Sequence, residues 1–542
     1  MGTTSKNRRE ILKAGLATGA AAALATRSSA QLCPPDGIPP DLIVRPSPPT
    51  TPFIVPLPIP PVLQPISAGD LVPPVNPAAH QRFYDFPPKK YYQIRQREFL
   101  HTYHPELPPA VTWGYNGIAP GPTIHAWYGE PIIVRQWNEL PADHVGFGLP
   151  STTTHLHNMH TATESDGFPM DYIDPGEYHD HHYAMFPAGF DERETLTSLW
   201  YHDHRMDFTS QNVYAGLTGF FLCFDSRDTN NERDPSPDAW RLPSGRYDVP
   251  LMLHDVLFDQ DGQAVFDVFN TDGILGDKWT VNRVIQPYFK VEPRKYRIRI
   301  QNGGPSRHYS LWLSNGQEFT ILSSDGNFLP EPVQKPNLEI SVAQRHDVII
   351  DFTDAQPGEQ IFLVNRAEQI FGRGPTGRLL TPGDQVLRFD VDLPRRGDPS
   401  QVPDRFRDLP APDLSEVVEE RLFVFDYDGG LWTINQQPAD MHVINAEIKQ
   451  GSAEIWTIRN EGSDWQHPVH IHFEEFQILE FNGKPLEPGD PRISRKDVLT
   501  LNPWDEVKLF FRFRDFTGRY IMHCHNVVHE DHAMMIRWDI VP

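Results

Sequence analysis

Four His-x-His pairs constrain this chain more than any other feature: HLH at 155–157, HDH at 202–204, HIH at 470–472 and HCH at 523–525. In a β-strand, residues i and i+2 point to one face, so each pair aims two imidazoles at one place. One such pair carries little weight. Two pairs in each of two similarly spaced segments predict a metal cluster where two β units meet. Its candidate ligands are His155, His157, His202, His204, His470, His472, His523 and His525. A site rich in imidazole and poor in carboxylate suits copper, zinc or iron rather than magnesium or calcium.

The stretch HCHNVVHEDHAMM, residues 523–535, asks for more. If 523–525 is extended, His523 and His525 face one way and Cys524 the other. One strand then serves two metal sites with a covalent path between them. His529 and Met534 can return to Cys524 across a short turn. His467 lies three residues before His470 and behind Pro468, an offset that turns it away from the His470 face. Two histidines, a thiolate and a thioether define a blue-copper electron-transfer site. Zinc is the rival, but structural zinc sites draw on cysteine and histidine rather than methionine.

The chain between these motifs is all-β in texture. YYQIRQREF, TIHAWYG, PIIVRQWN, YRIRIQN and DVIIDFT are short β-branched and aromatic runs broken by Gly, Pro, Asn and Asp. Such punctuation predicts sandwiches or barrels. Linker-like PSPDAWRLPSG and PRRGDPSQVPDRFRDLPAPD divide the 542 residues into β domains at 81–230, 246–395 and 412–542. The middle one has only lone histidines, His254, His308 and His346, read as ordinary packed residues. Residues 31–80 are dense in proline, which excludes a helix or central strand and predicts an extended arm that wraps the body.

Residues 1–30 read as an address. Arg8 and Arg9 precede an apolar stretch near Ala14–Ala25, with Ser28 and Ala30 before a cleavage point at Gln31. The pattern resembles a twin-arginine export signal, with an ordinary secretory signal as the alternative; either sends the chain out of a bacterial cytoplasm, to the periplasm or beyond. The stretch is too short for a membrane anchor. Three cysteines make no disulfide framework, although Cys33 and Cys223 could pair in an oxidising compartment. A formal net charge of -24 repels nucleic-acid backbones, so nucleic-acid binding is not expected.

WGYNGIAPGPTI, LWYHDHRMDFTSQNVYAGLTGFF, VEPRKYRIRIQN, HPVHIH and HCHNVVHEDHAMM together resemble the three-domain multicopper oxidases, within them the bacterial spore-coat laccases and bilirubin oxidases. The likeness runs from PLPIPPVLQP to the C-terminus. It implies three cupredoxin-like Greek-key domains and four copper ions. A type 1 copper at His467, Cys524, His529 and axial Met534 would take electrons singly from a small-molecule reductant. By the same resemblance His155 and His470 would hold a type 2 copper. His157, His202, His204, His472, His523 and His525 would hold a type 3 pair, where O2 becomes water. Asp166, in ESDGFP, and Glu530 match carboxylates that serve proton delivery in similar enzymes, because O2 reduction consumes protons.

Three stretches depart from the family pattern. Asn158 follows the first HxH where the family has glycine. EYHDHHYAMF adds His179, Asp180, His181 and His182, read as strand alternation rather than an extra metal site. FEEF places Glu474 and Glu475 just after HIH, read as a solvated strand face. The expected substrates are phenols, aromatic amines or tetrapyrroles such as bilirubin, acted on by a monomer. The alternative is oxidation of Mn(II) or Cu(I); the absence of a methionine cluster among the 10 Met counts against Cu(I). A copper-free envelope scaffold would have lost ligands, and none is missing here.

Overall fold

The computed structural model describes residues 46–542; the stretch read as an export signal and Cys33 lie outside them. The described residues form six β-sheets, paired into three two-layer units. The first unit joins a four-stranded sheet containing Lys90–His101, Ala110–Tyr115, Ile132–Asn138 and Tyr178–Tyr183 to another containing Gly121–Trp127, Thr154–His157, Ser198–Asp203 and Thr218–Phe224. The middle unit stacks a seven-stranded on a five-stranded sheet, and the last pairs two five-stranded sheets. In each unit a few parallel pairings, such as Lys90↔Ile132 and Val417↔Ala453, sit within a mostly antiparallel ladder. That mixture marks Greek-key crossovers rather than simple hairpins. The architecture is cupredoxin-like and all-β, as the punctuated sequence predicts.

Each unit encloses its own apolar core. The last core includes Trp456, Phe511, Trp538, Cys524 and Met534, all fully buried. Helices are confined to short turns, and two of them touch the site: Thr163–Asp166 and Val527–Asp531.

The proline-rich arm from residue 46 onward is extended. Leu57 N–H donates to Tyr288 O in the middle unit, and Leu63 and Ile66 donate to Thr123 O and Tyr91 O in the first, each at 2.8 Å. The arm thus straps two units together through isolated backbone bonds, which proline tolerates because few of its amides must pair.

First and last units meet face to face. Ser210 N–H donates to Asp531 Oδ2 at 3.0 Å, and Arg519 pairs with Asp171 at 2.7 Å. The middle unit joins them through buried charge. Arg297 and Arg299 converge on Asp347, whose other oxygen accepts from Ser198 Oγ on the strand Ser198–Asp203. That strand leads straight into His202 and His204.

Candidate metal centre

Antiparallel pairing brings the histidine pairs into register. His155 lies opposite His202 on the strands Thr154–His157 and Ser198–Asp203, and His470 lies opposite His523 on His467–Ile471 and Gly518–Cys524. The two ladders face each other across the interface between first and last units. There His155 Nε2 stands 3.3 Å from His470 Nε2, and His204 Nε2 stands 3.2 Å from His523 Nε2. His472 Nε2 is 3.4 Å from His523 Nε2. Ring centroids of His157, His202 and His525 lie 5.2 to 5.8 Å apart. All eight histidines are buried.

Second partners fix most of these rings. The Nδ1 atoms of His202 and His470 bond the Asp203 and Asp497 carbonyls at 2.8 and 2.9 Å, and His155 Nδ1 bonds the Asp166 carbonyl. His472 Nδ1 bonds Asp166 Oδ2 at 2.8 Å, while His523 Nδ1 lies 2.9 Å from Glu530 Oε2. Each ring therefore presents Nε2 inward, the arrangement in which an outer contact sets the tautomer of a metal ligand. Burial lowers the pKa of His202 and His204 to about 3, so both are neutral and have a free lone pair at neutral pH.

Cys524 points the other way, as alternation requires. Its Sγ is 3.4 Å from His467 Nδ1 and 3.5 Å from His529 Nδ1, and the two Nδ1 atoms are 3.3 Å apart. The short helix Val527–Asp531 returns the chain so that Met534 N–H bonds His529 O and Cys524 N–H bonds Met534 O, both at 3.1 Å. Met534 is buried beside Cys524 in one core. His529 Nε2 donates to Asp272 O at 2.9 Å, and Trp432 stacks on its ring at 3.9 Å between centroids.

The two acids singled out in the sequence are both buried here. Asp166 sits in the turn Thr163–Asp166, held against His155 by Gly167. Gly167 has φ 88°, and a Cβ there would strike the His155 backbone. Burial pushes the Asp166 carboxyl well up. Burial also works against a charge on Glu530, but His523 and His204 outweigh it and hold its carboxyl low. A third acid had no sequence signal. Asp497 accepts two bonds from Arg345 Nη1 of the middle unit, at 3.0 and 2.9 Å. Its Oδ2 lies 2.5 Å from His157 Nε2, without hydrogen-bonding geometry.

Two side readings come out differently. Glu474 and Glu475 do not form a solvated face. Glu474 is buried and ion-paired with Arg514 at 2.9 Å, and Glu475 turns into the junction of the three units. The strand ends at Ile471 and Phe473 takes φ 77°, so alternation no longer applies. His179–His182 lie on the strand Tyr178–Tyr183, as read. Asp180 is paired with Arg135, and His179, His181 and His182 bond backbone carbonyls. None of these four, nor His254, His308 or His346, belongs to a ligand grouping among the described residues.

The donor set fits copper. Ligand atoms lie within 4.8 Å of one another in the groups His155–His470–His472, His155–His157–His202, His204–His472–His523 and His467–Cys524–His529. His202 Nε2 and both ring nitrogens of His525 are buried without a hydrogen-bond partner, a costly state that a metal would relieve. Burial pushes the Cys524 thiol well up, so only a bound metal would make it a thiolate in this pocket.

Multicopper oxidase family models match residues 100–228, 245–377 and 412–542. The bilirubin oxidase of Albifimbria verrucaria is 33% identical over 498 residues, 89% of this chain and 80% of the relative. The laccase of Bacillus subtilis is 30% identical, across 90% of this chain and 98% of its own length. In fold, the laccase of Pediococcus acidilactici superposes with a TM-score of 0.74 at 24% identity, covering 92% of this chain and 96% of that one. This chain belongs to the multicopper oxidases. It is a copper-dependent, laccase-like oxidoreductase that uses O2 as acceptor.

Proposed function

We propose that this enzyme oxidises phenols, aromatic amines or tetrapyrroles one electron at a time beside His529, and reduces O2 to water in the eight-histidine cluster. One observation carries the reading: Cys524 faces His467 and His529 while its neighbours His523 and His525 face the cluster, so a single strand joins two metal sites. In this assignment His467, Cys524, His529 and Met534 hold type 1 copper. His155 and His470 hold type 2. His157, His202 and His525 hold one type 3 ion, and His204, His472 and His523 the other. Copper bound there supplies one-electron redox steps at Cys524 and a four-electron site for O2.

The chain's own groups do the rest. The His529 Nε2–H is covered by the Asp272 carbonyl, which borders a cavity of about 250 Å³ shared with Gly273, Ile370 and Phe371. Ile370 and Phe371 leave an exposed apolar rim, suited to a planar aromatic donor. A larger cavity of about 580 Å³ between middle and last units includes none of the assigned ligands. Burial biases Asp166 toward its protonated form beside His155 and His472. Glu530 stands ready to take a proton beside His204 and His523. Two carboxyls pushed in opposite directions suit proton delivery to a reaction that consumes four protons per O2.

The units 81–230, 246–395 and 412–542 are taken as the folding domains. Arg8–Arg9 and the apolar run after them support twin-arginine export to the periplasm or beyond, and no described helix is long and apolar enough to cross a membrane. The enzyme is taken to act as a monomer. The test is O2 uptake by the copper-loaded chain with a simple phenol, bilirubin and Mn(II) in parallel. Aromatic donors should outpace Mn(II); preference for Mn(II) would replace this reading with metal-ion oxidation.

A further inference from the structure

His157 is held differently from most of its neighbours: its outer contact runs from Nε2 to Asp497 Oδ2, at 2.5 Å. The Nδ1 atoms of His155, His202, His470 and His472 all bond a carbonyl or carboxylate, but buried His157 Nδ1 has no partner. Its aim comes from that contact, from its stack on His470, 3.7 Å between centroids, and from the backbone turn that follows it.

That turn is Asn158, in the left-handed region at φ 74°. Asparagine tolerates this region better than most residues, but still at a cost that glycine avoids. The side chain offsets the cost. Asn158 Nδ2 donates to Glu475 Oε1 at 2.9 Å, and the same oxygen accepts from Asn327 Nδ2. The three residues come from three different units. Gly326 approaches so closely that any Cβ would collide with the Asn158 amide. Both donors are neutral, and burial pushes the Glu475 carboxyl up to about 8, so the junction holds no net charge at neutral pH.

We propose that Glu475 is a positioning residue for the cluster. It pins Asn158 in the left-handed turn and so aims His157; by gripping Asn327 with the same oxygen, it makes the ligand-free middle unit a buttress of the metal site. The inference rests on the multicopper-oxidase reading above. Arg345, reaching Asp497 from the same middle unit, is a second buttress on the other side of His157.

The test compares N158A, N158G, E475A, E475Q and the double variant N158G/E475A as copper-loaded full chains. Copper per chain is measured after dialysis against a fixed chelator, together with the near-ultraviolet absorption of the copper pair. The visible band of the Cys524 site serves as an internal control for folding. N158A and E475A should weaken copper retention at the cluster about 10- to 100-fold, the usual effect of losing an outer partner. They should lose the near-ultraviolet feature and keep the visible band. N158G keeps the turn without the amide and E475Q keeps the acceptor, so both should retain copper and spectrum, and N158G should rescue E475A. Loss in N158G equal to that in N158A, full retention in E475A, or failure of the rescue would overturn the proposal. If N158A or E475A does not fold, N158G and E475Q still decide, since loss of copper in either contradicts it. A wild-type chain with no visible band would instead remove the underlying copper reading.

Discussion

Replacing Arg345 with alanine tests whether the middle unit supports the cluster electrostatically. Arg345 is 1% exposed. Nη1 holds both oxygens of Asp497, and Nε donates to Ser198 O at 3.1 Å on the strand that carries His202. Removing the guanidinium leaves Asp497, whose pKa burial already raises to about 7, with only Lys496 to offset Asp325. Breaking a buried pair from one side costs up to about 3–5 kcal/mol, less where the stranded acid takes up a proton. For a unit of about 150 residues, each kcal/mol moves the melting point by about 2–4 °C, so the transition should fall by up to about 6–20 °C. Asp497 also stands against His157 and His470, so copper retention there should drop about 10- to 100-fold. Calorimetry and copper analysis of R345A, D497N and the double variant make the assay. The double variant should cost less than the sum of the two singles, because each single strands the other's partner. An R345A protein that melts within 2 °C of wild type with all its copper would refute the reasoning, as would strict additivity.

Other outcomes follow from the same geometry. C524S should abolish the visible absorption and lower copper from four ions to three, while the near-ultraviolet feature stays; metal analysis and one spectrum check this. E530Q should keep all four coppers yet slow reoxidation of the reduced enzyme by O2 about 10²–10⁴-fold, the range for a lost proton-transfer group, as read by stopped flow. Glu475 predicts a pH effect on stability. Burial raises its folded-state pKa to about 8 from about 4.3 in the unfolded chain. The folded state therefore binds the proton more tightly. The Glu475 contribution is full below pH 4.3, declines as pH rises toward 8, and is level above. Melting curves of E475Q should lack this part of the decline, and an unchanged pH profile would contradict the raised pKa of this half-buried carboxyl.

The parts of the site legible in the sequence are those written in local periodicity. His155–His157 and His523–His525 could be placed because strand alternation is set by the backbone alone, and the same rule sent Cys524 to the opposite face. The return of His529 and Met534 needed only one short turn. Asp166 and Glu530 were marked by resemblance rather than by spacing. Asp497 was not legible. It matters because the next residue, Val498, pairs with His470, and because Arg345 arrives from another unit. Neither fact has a trace in SRKDVLT. The FEEF reading failed for a related reason. Alternation was extended past Ile471, where Phe473 turns the chain and sends both glutamates inward. Trp432, stacked on His529 from a distant strand, was equally invisible to pattern. The order of strands within a sheet, and which unit supplies an outer contact, are tertiary facts that single-strand periodicity does not encode.

Electrons entering at Cys524 should reduce O2, with protons, to water at the histidine cluster. The most direct measurement is the stoichiometry of turnover by the copper-loaded chain. Oxygen consumed, phenol oxidised and peroxide released are followed in one sealed cell while the visible band is monitored. The copper-loaded chain should be intensely blue, bleach on addition of phenol, recover with O2, and use one O2 per four electrons with no peroxide released. A colourless chain that stays inert after copper loading, or one that releases peroxide at two electrons per O2, would contradict that expectation.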